Sequence, residues 1–236
     1  MKEIIKNILK SCVIGKLAYE PLHRLYRLYS VPRRRRILKR YGAEALAELA
    51  RQFKKHGIPG YAAYGTMLGF VRDNGFIPHD DDVDVAILPN SEWNSARVLE
   101  CFLAEEGFSY VFGFKYDDEL VEFKLMYHKI PIDFFFPRKI GDQFGTHGFY
   151  YEANACYPTP QHNTAKLFKE PQVKGIMLKQ VLGVDFPIPQ NYEEVLEGMY
   201  GKNWRIPDAA WVDDSCPGIT DLPNYGLSVS REDALS

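Results

Sequence analysis

The chain has 236 residues, 46% hydrophobic and 14% aromatic, which is enough to bury a sizeable core and too apolar for a disordered chain. A formal net charge of −2 hides an asymmetry: residues 1–40 hold twelve Lys or Arg and two Glu, while the rest holds seventeen basic and twenty-nine acidic residues. A basic arm on an acidic body suits contact with an anionic surface, whereas an acidic body repels a nucleic-acid backbone, so no nucleic-acid partner is expected.

At the start, Ile5, Leu9, Cys12 or Val13, and Leu17 recur at helical spacing, with Lys2, Lys6 and Lys10 on another face. This predicts a basic amphipathic helix over 3–18 that Pro21 ends or kinks. Leu22, Leu25, Tyr26 and Tyr29 follow, then Pro32 and the run Arg33-Arg34-Arg35-Arg36. The arm reads either as a peripheral anchor on an anionic membrane or as a helix packed on its own body or a partner. Ala43, Leu46, Leu49, Ala50 and Phe53 predict a helix over 41–56, stopped by Gly57. A short strand over 58–64 leads into a short helix over 65–72, broken at Asn74-Gly75. An acidic strand over 80–88 closes at Pro89-Asn90-Ser91, and Ser91 is placed to cap a helix over 92–106.

Residues 120–127 alternate, with Val121, Phe123, Leu125 and Tyr127 on one face and Glu122, Lys124 and Met126 on the other. Residues 130–136 alternate as well, and the short link at His128-Lys129 predicts an antiparallel hairpin. Residues 140–163 read as irregular. Asn191, Glu194 and Gly201 predict a capped helix over 191–200. From Pro207 onward no periodic signal is seen. The organisation expected is a basic arm (1–40), a catalytic domain (41–207) and a tail (208–236). The fold class expected is α+β, a mixed α/β sheet flanked by helices.

The chemistry concentrates in Pro78-His79-Asp80-Asp81-Asp82-Val83-Asp84. In an extended chain Asp80, Asp82 and Asp84 point one way and Asp81 the other. Carboxylates crowded on one face repel, and a hard divalent cation relieves them; Mg2+, with Mn2+ as its substitute, takes carboxylate and phosphate oxygens. A calcium loop starting at Asp80 would need Gly and Glu where Val85 and Ser91 stand, so that reading fails. A solvated acidic turn would not run straight into Val83, Val85, Ile87 and Leu88. Asp133, a lone carboxylate in an apolar strand, is the candidate third ligand or a base; its alternative is a hydrogen-bonded core Asp. Gly65-Thr66 at a strand–helix junction can cradle a phosphate, or be a plain turn. Arg72 and Lys124 are candidate phosphate-binding cations or ordinary ion-pair residues. His79, His147 and His162 have no recognisable partner spacing. Cys12, Cys101, Cys156 and Cys216 form no metal-binding spacing and fit a reducing cytoplasm. No secretory leader or membrane span is read.

The string Tyr64-Gly65-Thr66-Met67-Leu68-Gly69-Phe70-Val71-Arg72, then Gly75-Phe76-Ile77-Pro78 and the aspartates, resembles the LicD family, which includes fukutin and the fukutin-related protein. A later stretch, Val184-Asp185-Phe186-Pro187-Ile188-Pro189 through Glu194, Leu196, Tyr200-Gly201-Lys202-Asn203-Trp204 and Pro207, is similar to the family's terminal signature. The resemblance covers about residues 57–207. His79 departs from it, since the family commonly has Trp there. The resemblance implies a polymerase-beta-type nucleotidyltransferase fold and transfer of an alcohol phosphate, such as phosphocholine, ribitol phosphate or glycerol phosphate, from a CDP-alcohol donor to a sugar hydroxyl. Asp82, Asp84 and Asp133 would be the metal-holding and catalytic carboxylates. The acceptor would be a surface glycan or its lipid-linked precursor, at the inner face of a membrane. A nucleotidyltransferase moving a nucleoside monophosphate, and a non-catalytic scaffold of glycan assembly, are the alternatives.

Overall fold

The structure is a computed structural model that describes residues 12–90, 92–151, 163–208 and 210–236, with the backbone alone for 12–24 and 151. The arm residues Ile5, Leu9, Lys2, Lys6 and Lys10, the expected cap Ser91, Cys156 and His162 lie outside the described residues.

Among the described residues a long helix α1 (Cys12–His56) comes first. It runs unbroken through both Pro21 and Pro32 and past residue 40, where the sequence predicts a stop or kink and then a separate helix. Pro32 lies on the exposed side of α1, where water can serve the carbonyl that a proline leaves without a donor. Leu38, Ala45, Leu46, Leu49 and Phe53 are the buried stripe, and Gly57, at φ +70°, ends the helix.

Then come β1 (Gly60–Ala62), α2 (Tyr64–Arg72), β2 (Val83–Ile87), α3 (Ser95–Leu103), β3 (Phe108–Tyr116), β4 (Glu119–Tyr127) and β5 (Ile130–Phe135). Asn94 caps α3 by accepting from the Arg97 N–H at 2.9 Å. The hairpin of β4 and β5 forms as expected. The remaining elements are β6 (Arg138–Ile140), β7 (Gln143–Tyr151), β8 (Asn163–Pro171), β9 (Ile176–Val181), β10 (Val184–Pro189), α4 (Tyr192–Tyr200), β11 (Ile219–Val229) and α5 (Arg231–Leu235). Asn191 precedes α4 but does not cap it with its side chain. Its oxygen accepts from the Lys174 N–H, and its amide donates to Gln172 O and to the Glu194 carboxylate.

The fold is mixed α/β. Among the described residues nine strands form one sheet in the order β1-β2-β5-β4-β3-β11-β8-β7-β6, while β9 and β10 make a separate hairpin. Among the described residues only the β2–β5 pair is parallel. The stretch 140–163 expected to be irregular instead contains, among its described residues, the last residue of β6, all of β7 and the first residue of β8. The tail supplies β11, whose residues 219–226 pair with β8 and 227–229 with β3. It thereby joins the two halves of the sheet.

Register sorts the faces. Val83, Val85, Ile132, Phe134, Phe123 and Leu125 point to one side and are buried. Against them packs a run of edge-to-face and stacked rings, linking Phe53, Phe102, Phe134 and Phe123 and, through Phe186, reaching Phe70. Each such pair adds about 0.5–1.5 kcal/mol beyond burial. The opposite face of the same strands carries Asp84, Asp133, Lys124 and Glu122.

Candidate metal centre

Parallel pairing places Asp84 opposite Asp133 across β2 and β5, and antiparallel pairing places Lys124 opposite Asp133 across β5 and β4. In-register residues point to the same side, so two carboxylates and an ammonium line up across neighbouring strands. Asp82, one residue before β2, completes the group. One oxygen from each of Asp82, Asp84 and Asp133 lies within 4.8 Å of the others. Lys124 Nζ stands 2.8 Å from Asp133 Oδ2 and 3.5 Å from Asp82 Oδ2.

The electrostatics are those of crowded anions. Burial, then Asp82, Asp133 and Asp80, pushes Asp84 well above the ordinary carboxylate range. Burial also raises Asp133, against the opposing pull of Lys124. Asp80 is pushed up to about 7 by burial and then by Asp82. Burial works to lower the Lys124 ammonium, but Asp133 and then Asp82 outweigh it and hold it above the usual lysine range.

The donor set fits a hard divalent cation. It offers only oxygens, gathered within 4.8 Å of one another, and carboxylate oxygens are what a hard cation takes. Asp133 Oδ1 is also buried without a hydrogen-bond partner, a costly arrangement that coordination would remedy.

Asp82 and Asp84 line a cleft of about 1190 Å³, and Asp133 lies buried beside them. Gly65 forms part of its wall at the β1–α2 junction, where Tyr64 takes φ +44° to turn the chain. A Cβ on Gly65 would sit 3.4 Å from Asp80 Oδ1 and 3.6 Å from Asp84 Oδ2, so glycine leaves open the space beside the carboxylates. Thr66 has a different place from the phosphate-facing one the sequence suggested. Its side chain is buried, and its oxygen accepts from the Asp84 N–H at 2.8 Å. A hydroxyl serves a backbone donor as readily as a phosphate, and here it fixes β2 against α2. Arg72 does line the cleft, with its guanidinium on Asp73 at 2.9 and 3.0 Å. Asp81, in the loop before β2 and outside the cleft lining, pairs with Arg34.

Residues 57–191, more than half of the chain, match the family described as LicD/FKTN/FKRP, nucleotidyltransferase domain. The chain belongs to the LicD family. Among its relatives is the mouse protein named ribitol-5-phosphate transferase FKTN, 27% identical over 77% of this chain and 37% of that protein. The human protein of the same name is 28% identical over 73% of this chain and 35% of its own length. The chain thus spans little more than a third of the curated relatives it matches. The Gly69 that the LicD resemblance includes has a steric reason here: a Cβ would meet Gly75 O at 2.5 Å and Ile77 N at 3.0 Å.

Other parts of this LicD-family cleft are not evident in the sequence. Glu122 lines it, 8% exposed, and burial and then Asp133 drive its carboxyl far above the usual range. Its place on the polar face beside Lys124 was the only signal, and such a face ordinarily meets water. Across the cleft stand His147, Phe149 and Tyr150 of β7, with Tyr200 and Trp211 in ring contact at 4.8 Å. Burial and then Arg138 hold the His147 imidazole down to about 4, so it is neutral near pH 7. The cysteines Cys101 and Cys216 are free thiols outside the cleft lining.

Proposed function

We propose that this protein transfers an alcohol phosphate from a CDP-activated alcohol to a sugar hydroxyl of a surface glycan or its lipid-linked precursor. The carrying observation is the convergence of Asp82, Asp84 and Asp133 within 4.8 Å beside a large cleft. The relatives named ribitol-5-phosphate transferase support an alcohol phosphate as the group moved. Asp82, Asp84 and Asp133 would hold Mg2+ or Mn2+, which supplies charge neutralisation for the donor diphosphate and the departing nucleotide.

In the reaction, the acceptor oxygen attacks the phosphorus that bears the alcohol. The bond from that phosphorus to the bridging oxygen breaks, and CMP departs with the electron pair. The hydroxyl proton goes to a carboxylate of the trio, and we assign that role to Asp133. Lys124 offsets part of the carboxylate charge, Gly65 lets the donor approach closely, and Arg72 is the cation at the cleft wall for a phosphate oxygen. Catalysis of this kind rests mainly on positioning and charge.

A peripheral contact with anionic lipid at the inner face of a membrane belongs to the same proposal. Among the described residues no helix is long and apolar enough to cross a membrane. At about 100° per residue, Leu25, Leu28, Tyr29, Arg36, Lys39 and Arg40 share one outward arc of α1. Leu25, Leu28 and Tyr29 are 64%, 69% and 68% exposed. Arg36, Lys39 and Arg40 make no ion pair among the described residues. Apolar side chains beside unpaired cations suit an anionic interface.

The test is a panel of CDP-alcohols and CTP, each with a sugar acceptor and Mg2+, read by release of CMP or pyrophosphate. We expect CMP from a CDP-alcohol and label on the sugar. Pyrophosphate release from CTP, with no CMP from any CDP-alcohol, would establish the nucleotidyltransferase alternative instead.

A further inference from the structure

The three carboxylates are not held alike. Asp84 and Asp133 sit in register on the β2–β5 ladder, so the sheet fixes them. Asp82 precedes the first residue of β2 and belongs to the loop between α2 and the sheet. Its place depends on what anchors that loop. Within the loop, the Asp80 N–H donates to Ile77 O at 3.0 Å, and Asp80 Oδ2 accepts from the Ile77 N–H at 3.3 Å. Lys124 of β4 holds Asp82 itself, with Nζ 3.5 Å from Oδ2, and further anchors of the loop come from α1, more than forty residues earlier. Arg34 directs Nε and Nη2 onto Asp81 Oδ2 at 2.6 and 2.5 Å. Arg35 donates from Nε to the His79 carbonyl at 2.8 Å. The two arginines therefore grip the loop on both sides of Asp80, immediately before Asp82.

We propose that Arg34, through Asp81, and Arg35, through the His79 carbonyl, are positioning residues that set Asp82 for cation binding. The arginine run then has a divided role, with Arg34 and Arg35 turned to the loop and Arg36 left outward. The proposal rests on the reading of Asp82, Asp84 and Asp133 as a cation site. Partly exposed ion pairs contribute little to folding, so these variants keep the fold. Partners that orient metal-binding side chains commonly change metal affinity by tenfold or more.

The sign of the effect separates positioning from plain charge. By charge alone, removing the Arg34 cation near a cation site would tighten metal binding, and removing Asp81 would weaken it. A clamp requires both to weaken it, and requires that the pair act as a unit.

The test is Mn2+ affinity of the full chain, measured by electron paramagnetic resonance without donor or acceptor, with melting temperature as the control for folding. We expect Arg34→Met and Asp81→Asn each to weaken Mn2+ binding about tenfold, the double variant to be no weaker than either, and Arg34→Lys to recover part of the loss. Arg35→Met should weaken it by a smaller factor. Tighter or unchanged binding in Arg34→Met, while Asp84→Asn abolishes it, would overturn the clamp and leave the metal site standing. Unchanged Mn2+ binding in Asp84→Asn would overturn the metal site and the clamp together.

Discussion

Replacing Asp133 by Asn should leave the metal-free protein about as stable as before yet abolish its stabilisation by Mg2+. The reasoning starts from the separations. At 4.8 Å, the outer limit within the trio, two unit charges repel by about 3.5 kcal/mol at an effective dielectric near 20. Asp133→Asn removes two such repulsions, about 7 kcal/mol. It also removes the attraction of Lys124 at 2.8 Å, about 6 kcal/mol on the same scale. The two nearly cancel. Metal linkage behaves differently. With Mg2+ at about one hundred times its dissociation constant, the wild type gains about 2.7 kcal/mol, which in a chain of this size raises Tm by about 5–10 °C. The variant lacks one of three charged ligands, and its shift should fall below about 2 °C. Differential scanning calorimetry at pH 8, with and without Mg2+ and with a chelator control, gives both numbers. A full Mg2+ shift in Asp133→Asn, or none in the wild type, would refute the reasoning.

Gly69→Ala should cost about 1–3 kcal/mol, because its methyl would meet the backbone at Gly75 O, 2.5 Å away; an unchanged Tm would contradict this. Glu170, on β8 and 5% exposed, is pushed up to about 8 by burial, with Tyr61, Tyr64, Tyr200 and Cys216 as its titratable neighbours. Its folded value lies above the unfolded one, so its stabilising contribution is complete below about pH 4.5 and is lost as pH rises through about 8. Glu170→Gln should flatten that slope and leave the variant on the order of 1–3 kcal/mol more stable than wild type at pH 9; parallel denaturation curves from pH 5 to 9 would count against it. Arg36→Glu with Arg40→Glu should weaken sedimentation with phosphatidylserine vesicles about tenfold or more at low salt, and the difference should shrink at high salt. Equal sedimentation of both proteins would remove the lipid contact.

The parts of the fold legible in the sequence are those where a single period governs. In β4, Val121, Phe123, Leu125 and Tyr127 alternate with Glu122, Lys124 and Met126, and in β5 Asp133 stands alone among apolar residues, so the hairpin and the unusual Asp133 can both be read. Elsewhere the period is broken. β3 carries register shifts between Tyr110 and Phe112 and between Phe114 and Lys115. β7 contains Gly145 and Gly148 and presents His147, Gly148, Phe149 and Tyr150 all to the cleft. β11 contains Pro223 and loses register between Asp221 and Tyr225. Alternation cannot announce such strands.

The site shows the same division. Asp82 and Asp84 declare themselves by crowding within one short segment, and Asp133 by standing alone in an apolar strand. The contacts that hold them are long-range: Thr66 with the Asp84 amide, and Arg34 with Asp81 across 47 positions. A run of arginines looks like a uniform charged patch until the fold shows which of them turn inward.

The most direct measurement is anomalous diffraction from crystals soaked in Mn2+. We expect a peak bounded by oxygens of Asp82, Asp84 and Asp133, each at about 2.0–2.2 Å, and its loss in Asp84→Asn crystals. A peak elsewhere in the molecule, or one that persists in Asp84→Asn, would contradict the assignment of these three carboxylates as the metal centre.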